Sequence, residues 1–329
     1  MSTLRIATRG SALALAQANL VLAQCRAVAP DLRFEIQIIK TTGDKLQTAS
    51  LAQEGQTLPK GLFTKELEVA LLEHKADLAV HSLKDLPTEL PTGLKLGAVG
   101  KRADVRDVLI YRQANSGRAV QAGKPLGLGF KPGLSIQDLP EGAVVATSST
   151  RRRAQLLARN PALKTPDIRG NVLTRIKKLA EQPDLHATLL AVAGLTRLGY
   201  RITAEGELQG PNVPAGILAS ILDIDVMLPC VGQGAIGIEV RENDTAIDRL
   251  CRSLNDLSTF HCVSAERAFL AGMGGGCQSP VAAFAQAEQR TLHMRAISFA
   301  AGPLRRTEGV RPIEQAIELG QDLAARLRP

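Results

Sequence analysis

The chain has 329 residues, with 40 lysines and arginines against 32 aspartates and glutamates, and therefore a formal net charge of +8 at pH 7. Hydrophobic residues make up 45% of it, which is enough to bury a core in each of roughly two or three domains and excludes a globally disordered chain. With 7 Phe, 2 Tyr and no Trp, the chain has few rings on which bases could stack, so its charge is weak evidence for nucleic-acid binding. A small acidic ligand accounts for the charge equally well.

The 5 cysteines are few for this length and form no C-x-x-C pair, so they indicate neither a disulfide framework nor a zinc ribbon. The apolar runs are far shorter than the ~20 residues that span a bilayer, so no transmembrane helix is predicted. The start of the chain superficially resembles a lipoprotein signal ending at Cys25, but Gln17 and Asn19 interrupt it and the apolar residues recur with the period of an amphipathic helix. We therefore expect a cytoplasmic protein.

Strand and helix patterns alternate along two stretches of the chain, which is typical of α/β lobes with a parallel sheet. In the first stretch, strands are predicted at 4–7, 34–40 and 78–82, and helices at about 12–27 and 64–74. In the second, strands are predicted at 143–147 and 188–193, and helices at 151–160 and 172–179. The Gly- and Pro-rich segment 112–139 between them shows little periodicity and is predicted to be a long excursion at the surface.

The pattern changes after residue 253. A helix at 263–271 is followed by a glycine run, strands at 281–286 and 291–299, and a last helix at 312–327. This tail is predicted to be a small α+β domain.

Gly232, Gly234 and Gly237 match the dinucleotide-binding pattern G-x-G-x-x-G. That site needs a strand before the glycines and a helix after them. Here Pro229 precedes them and a β-prone segment follows, so the context argues against a nucleotide cofactor.

Two loops that precede helices in the second stretch are basic. Residues 147–153 place hydroxyls and three arginines at one helix entry, and residues 168–171 precede another, with Arg175 one turn inside it. A helix entry of this kind suits an anion, although ordinary N-capping by Ser148 or Ser149 beside a solvated basic surface is an equally good interpretation of the first loop alone. Arg9 and Ser11 form a comparable entry in the first stretch, so opposed clefts are predicted.

Asp85 follows an apolar strand at the sheet edge where open α/β sheets bind ligands. Taken alone, its neighbour Lys84 favours a salt-bridged surface pair, and His81 would usually be a buried, satisfied histidine. Cys277 follows three glycines, so its thiol is accessible enough to be a nucleophile, although an incidental cysteine in a glycine loop is the simpler interpretation.

Taken together and in order, these motifs resemble the porphobilinogen deaminase family over nearly the whole chain. The matching segments are 5–11, 60–68, 81–87, 147–149, 169–171, 191–199, 231–235 and 275–278. The resemblance implies two lobes of the type II periplasmic-binding-protein kind and a small C-terminal α+β domain. It places domain 1 at 1–105 and 231–252, domain 2 at 106–230 with an insertion at about 117–136, and domain 3 at 253–329.

The resemblance also implies a chemistry. Four porphobilinogen molecules are condensed head to tail with loss of ammonia, on a dipyrromethane cofactor joined by a thioether to Cys277, and water then releases linear hydroxymethylbilane. Asp85 is the catalytic carboxylate, because positive charge develops when ammonia leaves. The remaining residues implied to hold the cofactor are Lys84, Thr147, Ser148, Ser149, Arg151 and Arg152, and Asp85 belongs to this set too.

The substrate and the growing chain carry acetate and propionate groups, for which arginines are suitable partners. The residues assigned to them are Arg9, Ser11, Gln17, Arg169, Arg175 and Arg197, together with Asp44. No metal, nucleic acid or membrane partner is expected, and the family implies a monomer. Gln53, Ala16 and Thr42 depart from residues common in the family, and the insertion is about twenty residues longer than usual.

The sequence leaves two rival classes. A plain solute-binding protein would carry no covalent group, and a nucleic-acid binder would show duplex affinity that falls steeply with salt. The position of the charge is what a cleft that collects carboxylates requires, because the segment 146–180 contains nine basic residues and one acidic residue and so holds the whole surplus. The second lobe is therefore predicted to be the positive one.

Overall fold

A computed structural model describes residues 3–44, 61, 63–114, 120–121, 124–125, 129–276 and 279–328. The strands, in chain order, are β1 (Thr3–Arg9), β2 (Arg33–Ile39), β3 (Leu78–Ser82), β4 (Leu94–Val99), β5 (Asp107–Arg112), β6 (Val120–Gln121), β7 (Lys124–Pro125), β8 (Val145–Ala146), β9 (Ala187–Ala191), β10 (Arg201–Ile202), β11 (Leu208–Gln209), β12 (Ile217–Ile221), β13 (Ile236–Arg241), β14 (Val281–Glu288), β15 (Thr291–Ser298) and β16 (Arg305–Pro312). The helices are α1 (Ala12–Val28), α2 (Lys65–Leu72), α3 (Thr150–Arg159), α4 (Val172–Glu181), α5 (Val192–Arg197), α6 (Thr245–Leu254), α7 (Leu257–Gly272) and α8 (Ala316–Leu327). Single 3-10 turns lie at Leu83–Asp85 and Ile313–Gln315.

The first lobe is a 5-stranded sheet in the order β2-β1-β3-β13-β4. β1 runs parallel to β2 and β3, whereas β13 runs antiparallel to both of its neighbours. Helices α1 and α6 pack on one face, where Val21, Cys25 and Leu250 are buried against the sheet. Helix α2 covers the other face through Leu67 and Leu71.

The second lobe is a 4-stranded sheet in the order β12-β5-β9-β8. β5 runs antiparallel to β12 and β9, and β8 and β9 are parallel. The α/β class is confirmed, but the expectation of a parallel sheet is wrong, because both sheets are mixed. The chain enters both β5 and β13 from the other lobe. Two neighbouring parallel strands must be joined by a crossover, usually a helix, and neither β5 nor β13 is reached through one.

The third unit is an antiparallel sheet, β14-β15-β16, covered by α7 and α8, so the predicted C-terminal α+β domain is confirmed. Phe269 and Leu323 are fully buried between the helices and the sheet. Helix α7 begins before the predicted residue 263, because Asp256 caps it by accepting a hydrogen bond from the Thr259 N–H. The sequence pattern missed the polar edge strand β16, and the last helix begins at Ala316 rather than at residue 312.

The chain crosses between the two lobes twice, through residues 100–106 and back through residues 230–235. Two α/β lobes joined by a double crossing, each with one antiparallel strand inside its sheet, form the type II periplasmic-binding-protein arrangement that was expected. The domain boundaries given above stay a prediction. None of the described helices is long and apolar enough to cross a membrane.

The segment 112–139 is only in part a surface excursion. Leu134, Ile136 and Leu139 are buried in the same core cluster as Tyr111, so its last third belongs to the second lobe. Their apolar side chains cover one side of the sheet. The sequence did not predict this, because glycines and prolines surround these residues and hide the apolar pattern. Much of the predicted insertion at 117–136, and Gln53 in the first lobe, lie outside the described residues.

Candidate functional site

Asp85 ends a short turn that leaves the carboxyl end of β3. Leu83, at the start of the turn, is buried and donates its N–H to the Ala235 carbonyl at 3.1 Å, which fixes the turn to the second crossing. The Asp85 side chain is exposed, and Lys84 is half-buried. Beneath the turn, the buried Gln17 amide is hydrogen-bonded to the Ser82 hydroxyl at 2.9 Å. The structure therefore places Gln17 as a support for the strand end.

The charges of this turn act across the cleft on the second lobe. Burial lowers the pKa of Lys84, Asp85 opposes that shift and Arg152 adds to it. Burial also lowers the pKa of Arg175 to about 10, with Arg152 adding to the shift and Asp85 opposing it. Lys84 and Asp85 of the first lobe and Arg152 and Arg175 of the second therefore belong to one electrostatic cluster.

The two basic helix entries of the second lobe are held together by Ser148. Its hydroxyl donates to the Ile168 carbonyl at 2.9 Å and accepts from the Ile168 N–H at 3.0 Å. Ser149 is the N-cap of α3 and accepts from the Arg152 N–H, so the capping interpretation of this residue is confirmed. The Thr147 hydroxyl accepts from the Ser149 N–H at 3.2 Å.

Arg151 and Arg152 converge on a buried carboxylate. Asp107, at the start of β5, is 0% exposed and lies 2.7 Å from a guanidinium nitrogen of each arginine. Burial alone would raise the pKa of Asp107, but Arg151 and Arg152 outweigh it and hold that pKa well below its usual range. The third arginine of the run, Arg153, turns away to Asp167, as three consecutive residues of one helix must diverge.

The arginine pair keeps unused hydrogen-bonding capacity. The Nε groups of Arg151 and Arg152 are buried and have no hydrogen-bond partner among the described residues. Buried donors of this kind are costly to leave unsatisfied. The pair therefore fits a ligand with several carboxylates, as a dipyrromethane with acetate and propionate side chains is.

Three further arginines predicted to bind the ligand lie around this cluster. Arg175 donates through Nε to the Gly170 carbonyl at 2.8 Å, and Arg169 is exposed on the same loop. Arg197 donates to the Gly234 carbonyl at 2.7 Å, which joins the second lobe to the second crossing, and burial lowers its pKa. The structure thus places Arg175 beside the cluster and Arg197 against the second crossing, it shows no contact for the exposed Arg169 side chain among the described residues, and the roles of all three stay predictions.

In the first lobe, Arg9 is bound by a neighbouring carboxylate. Its guanidinium donates twice to Asp44, with a shortest distance of 2.5 Å, and its Cζ lies 4.0 Å from the centroid of the Phe63 ring. Burial would raise the pKa of Asp44, but hydrogen bonds from Arg9 and Thr41 lower it overall. Ser11 is the N-cap of α1 and accepts from the Ala14 N–H at 3.2 Å.

Cys277 lies outside the described residues, but the glycines before it do not. Gly274 has φ +76° just after the end of α7, which is the left-handed conformation that commonly ends a helix. A Cβ on Gly275 would come within 2.0 Å of the Leu270 carbonyl oxygen. These two glycines are therefore needed by the backbone itself, a reason the sequence did not reveal.

The sequence missed several residues that hold the site in place. Gln233 donates to Asp107 at 3.0 Å and to the Val105 carbonyl at 2.7 Å, so it joins the two crossings. Arg267 on α7 donates to the carbonyls of three residues that follow Asp85, namely Leu86, Pro87 and Thr88. Polar or charged side chains beside apolar runs were the only signal for them, and that signal is common at any surface.

His81 is buried, as expected, with Nε2 3.0 Å from an oxygen of the buried Glu239. Among the described residues, no group of histidine, cysteine, aspartate and glutamate side chains is arranged to hold a metal ion.

Comparison with known families gives two matches that together span most of the chain. Residues 4–249 match the model described as porphobilinogen deaminase, dipyromethane cofactor binding domain, and residues 260–329 match porphobilinogen deaminase, C-terminal domain. The porphobilinogen deaminase of Syntrophomonas wolfei is 41% identical over 99% of this chain and 95% of that protein. That of Thermus thermophilus is 40% identical over 98% of this chain and 95% of that protein.

Among solved structures, a probable amino-acid ABC transporter extracellular-binding protein from Bacillus subtilis matches with a TM-score of 0.41 at 12% identity, over 77% of this chain and 90% of that chain. The fold assignment rests on the observed strand order rather than on a likeness of that size.

Proposed function

The chain belongs to the porphobilinogen deaminase family, and we propose that the residues described above carry out that family's reaction. Four porphobilinogen molecules are joined head to tail with release of ammonia, on a dipyrromethane cofactor, and water then frees linear hydroxymethylbilane. The observation that carries the assignment of residues is a chain of contacts: Leu83 fixes the turn of Asp85 to the second crossing, and Gln233 of that crossing donates to Asp107, the buried partner of both Arg151 and Arg152.

Asp85 is the catalytic residue in this proposal. When ammonia leaves the aminomethyl group, positive charge spreads over the pyrrole, and a carboxylate close to the pyrrole N–H stabilises that charge more than it stabilises the neutral substrate. Asp85 stands at the end of a turn whose backbone is fixed by Leu83 and by Arg267. A fixed carboxylate needs little reorganisation during the reaction, and it can also accept and return protons.

The cofactor is held on the other side of the cleft. The unsatisfied Nε groups of Arg151 and Arg152 are suited to its carboxylates, with Thr147, Ser148, Ser149 and Lys84 around them. When bound, the cofactor supplies the free pyrrole carbon that joins the first substrate. Arg9, Ser11, Gln17, Arg169, Arg175 and Arg197 are proposed to bind or support the substrate and the growing chain, and Asp44 orients Arg9.

The covalent attachment to Cys277 is tested by intact mass spectrometry of the purified protein. We expect the wild type to carry the added mass of two linked pyrrole units and Cys277→Ala to lack it. Cys230→Ala is the matched control, because Cys230 is a half-buried thiol close to Arg151 and its variant should keep the added mass. A folded wild type without the addition, as the solute-binding alternative predicts, would overturn the proposal.

We further propose that the protein acts as a monomer in the cytoplasm on a small molecule, without nucleic acid. The four cysteines that the structure describes are all unpaired, which suits a reducing compartment. Of the arginines that carry the surplus charge, Arg151, Arg152 and Arg175 are engaged around the cleft, at Asp107 and Gly170. Light scattering during gel filtration should give the mass of one chain, and duplex DNA should not bind at physiological salt.

A further inference from the structure

A second cavity lies between the second lobe and the C-terminal domain. It encloses about 700 Å³ and is bounded by the last turns of α3, by residues 224–228 and by strands β15 and β16. Its volume lies within the range of small-molecule sites. None of the residues that line it belongs to the site proposed above, so it is a separate place on the molecule.

The lining of the cavity is positively charged. Arg159, Arg295 and Arg306 line it against two carboxylates, Asp225 and Glu308. Arg159 donates to the carbonyls of Asp225 and Val226, and Arg295 forms an ion pair with Asp225. Arg306 is exposed at the mouth of the cavity, and its guanidinium has no ion-pair or hydrogen-bond partner within the ranges that the structure describes. The cavity therefore offers a guanidinium group to an anion.

One wall of the cavity is apolar. Leu228 and Ile297 form its buried base, at 6% and 8% exposed, and the half-buried Phe299 and Leu304 pack against them and supply the apolar surface that is left open. A compact ion such as phosphate would leave this wall uncovered. A ligand that carries an apolar ring system and an acidic group would bury the wall and also bind Arg306.

The same wall touches a residue of the cleft. The Leu228 carbonyl accepts from Arg151 Nη1 at 2.7 Å and from the Gln155 amide at 3.0 Å, and Gln155 accepts in turn from the Leu228 N–H at 2.8 Å. Leu228 and Gln155 both line the cavity. One hydrogen bond therefore separates the cavity wall from the guanidinium that faces Asp107.

We propose that this cavity binds an organic anion with an apolar ring system, and that its occupation shifts Leu228 and thereby changes how Arg151 holds its ligand. The second half of the proposal rests on the function proposed above, whereas the binding itself does not. The ligand also bridges two domains, so its binding favours one arrangement of them.

The test uses the holoenzyme and 8-anilinonaphthalene-1-sulfonate, a fluorescent anion with apolar rings. We expect it to bind the wild type at one site that porphobilinogen does not displace. Arg306→Gln should weaken this binding roughly tenfold, the size of one charged contact. Arg290→Gln is the matched control, because Arg290 is an exposed arginine of the same domain that pairs with Glu314 away from the cavity, and its variant should bind as the wild type does.

The kinetic arm measures turnover at saturating porphobilinogen. The probe should lower the rate of the wild type and leave Arg306→Gln unaffected at the same concentration, while the two proteins have equal rates without it. Equal probe affinity in both, or displacement by porphobilinogen, would overturn the site. Binding without any change in turnover would overturn the coupling through Leu228. The binding titration with the fluorescent probe does not require an active enzyme. Its result therefore remains valid even where the proposed function is wrong.

Discussion

Asp107 shows how one buried carboxylate organises a basic surface. Arg151 and Arg152 are adjacent in the sequence and would repel one another in a buried place, but each lies 2.7 Å from Asp107. Gln233 adds a hydrogen bond at 3.0 Å to the same carboxylate. The arginines are thereby fixed before any ligand arrives, and fixed groups bind with a smaller loss of conformational entropy.

The carboxylate of Asp107 is expected to contribute stability that depends on pH. Its folded pKa lies below the unfolded value, so the contribution is fully present above about pH 4 and is lost as the pH falls toward the folded pKa. Asp107→Asn should therefore lower the free energy of unfolding at pH 7 by about 3–5 kcal/mol, because two buried arginines lose their partner. The variant should also lose less stability than the wild type does as the pH falls. Urea unfolding between pH 7 and 3 measures this difference.

The control for this variant is Asp104→Asn, in the same crossing, where the carboxylate forms a more exposed pair with Arg106. It should change stability much less. An equal effect of the two substitutions would show that Asp107 has no special place in the network.

A second prediction at the residue scale concerns Asp85. Asp85→Asn should fold and retain cofactor, yet lower the rate of ammonia release by about a hundredfold to a thousandfold, because the amide no longer balances the positive charge of the transition state. Ammonia release gives the rate, and intact mass gives the cofactor content. Glu89→Gln, an exposed carboxylate on the same segment, should leave both unchanged. Near-normal turnover in Asp85→Asn would mean that the catalytic role is misassigned.

The elements that the sequence predicted best are those with local signals at their ends. The helix entry at Ser149 was visible as a capping residue after a strand, and Ser149 does cap α3. The second entry was visible as a loop before a helix, and there Asn171 is the cap, which was not predicted. The antiparallel direction of β5 and β13 could not be predicted, because short apolar runs occur in parallel and antiparallel strands alike. Asp107 was missed for a related reason, since its partner Arg152 is 45 residues away and only the fold brings them together.

The crossing segments are the elements with the least room for change. Gly234 has φ +84°, and a Cβ there would come within 2.6 Å of the Ala103 carbonyl oxygen in the other crossing. Its own carbonyl accepts from the Ala103 N–H at 3.1 Å and from Arg197 at 2.7 Å. The two crossings therefore touch through backbone atoms, which cannot move aside as a side chain can.

Gly234→Ala should consequently lower the free energy of unfolding by about 2–4 kcal/mol. This is the sum of the energy needed to hold an alanine in the left-handed conformation and the energy of its close contact with Ala103. Gly100→Ala is the matched control, because a Cβ at Gly100 meets nothing within 4 Å and that glycine lies in the first crossing, three residues before Ala103. Denaturant unfolding of both variants measures the difference. If the two lost equal stability, the contact with Ala103 would not be the cause.

At the scale of the whole molecule, Glu266 ties the C-terminal unit to both crossings between the lobes. This fully buried carboxylate of α7 accepts two hydrogen bonds from Arg102 of the first crossing, at 2.7 and 2.9 Å. It also accepts the N–H of Gly232 in the second crossing at 2.8 Å and that of Ala285 in β14 at 2.9 Å. Four donors from three parts of the chain thus depend on one side chain.

Glu266→Gln should lower the free energy of unfolding by about 3–5 kcal/mol, because the amide cannot accept from all four donors and leaves Arg102 without its counter-charge. We also expect the single unfolding transition in urea to broaden as the C-terminal domain loosens from the lobes. Glu314→Gln, which removes an exposed pair with Arg290 in the same domain, should behave as the wild type does. A sharp transition at an unchanged midpoint in Glu266→Gln would contradict this account of the junction.

The contacts of Arg267 have a consequence for the proposed reaction. Arg267 fixes α7 to the residues that follow Asp85, with a shortest distance of 2.6 Å, so the end of that helix keeps a constant position relative to the Asp85 turn. Cys277 follows Gly272, the last residue of α7, by five positions, and five residues extend to at most about 17 Å. With the cofactor on Cys277, as proposed, the anchored end of the product stays within this reach as long as Arg267 keeps its contacts. Under that proposal, each added ring is accommodated by folding the product back on itself or by releasing the Arg267 contacts.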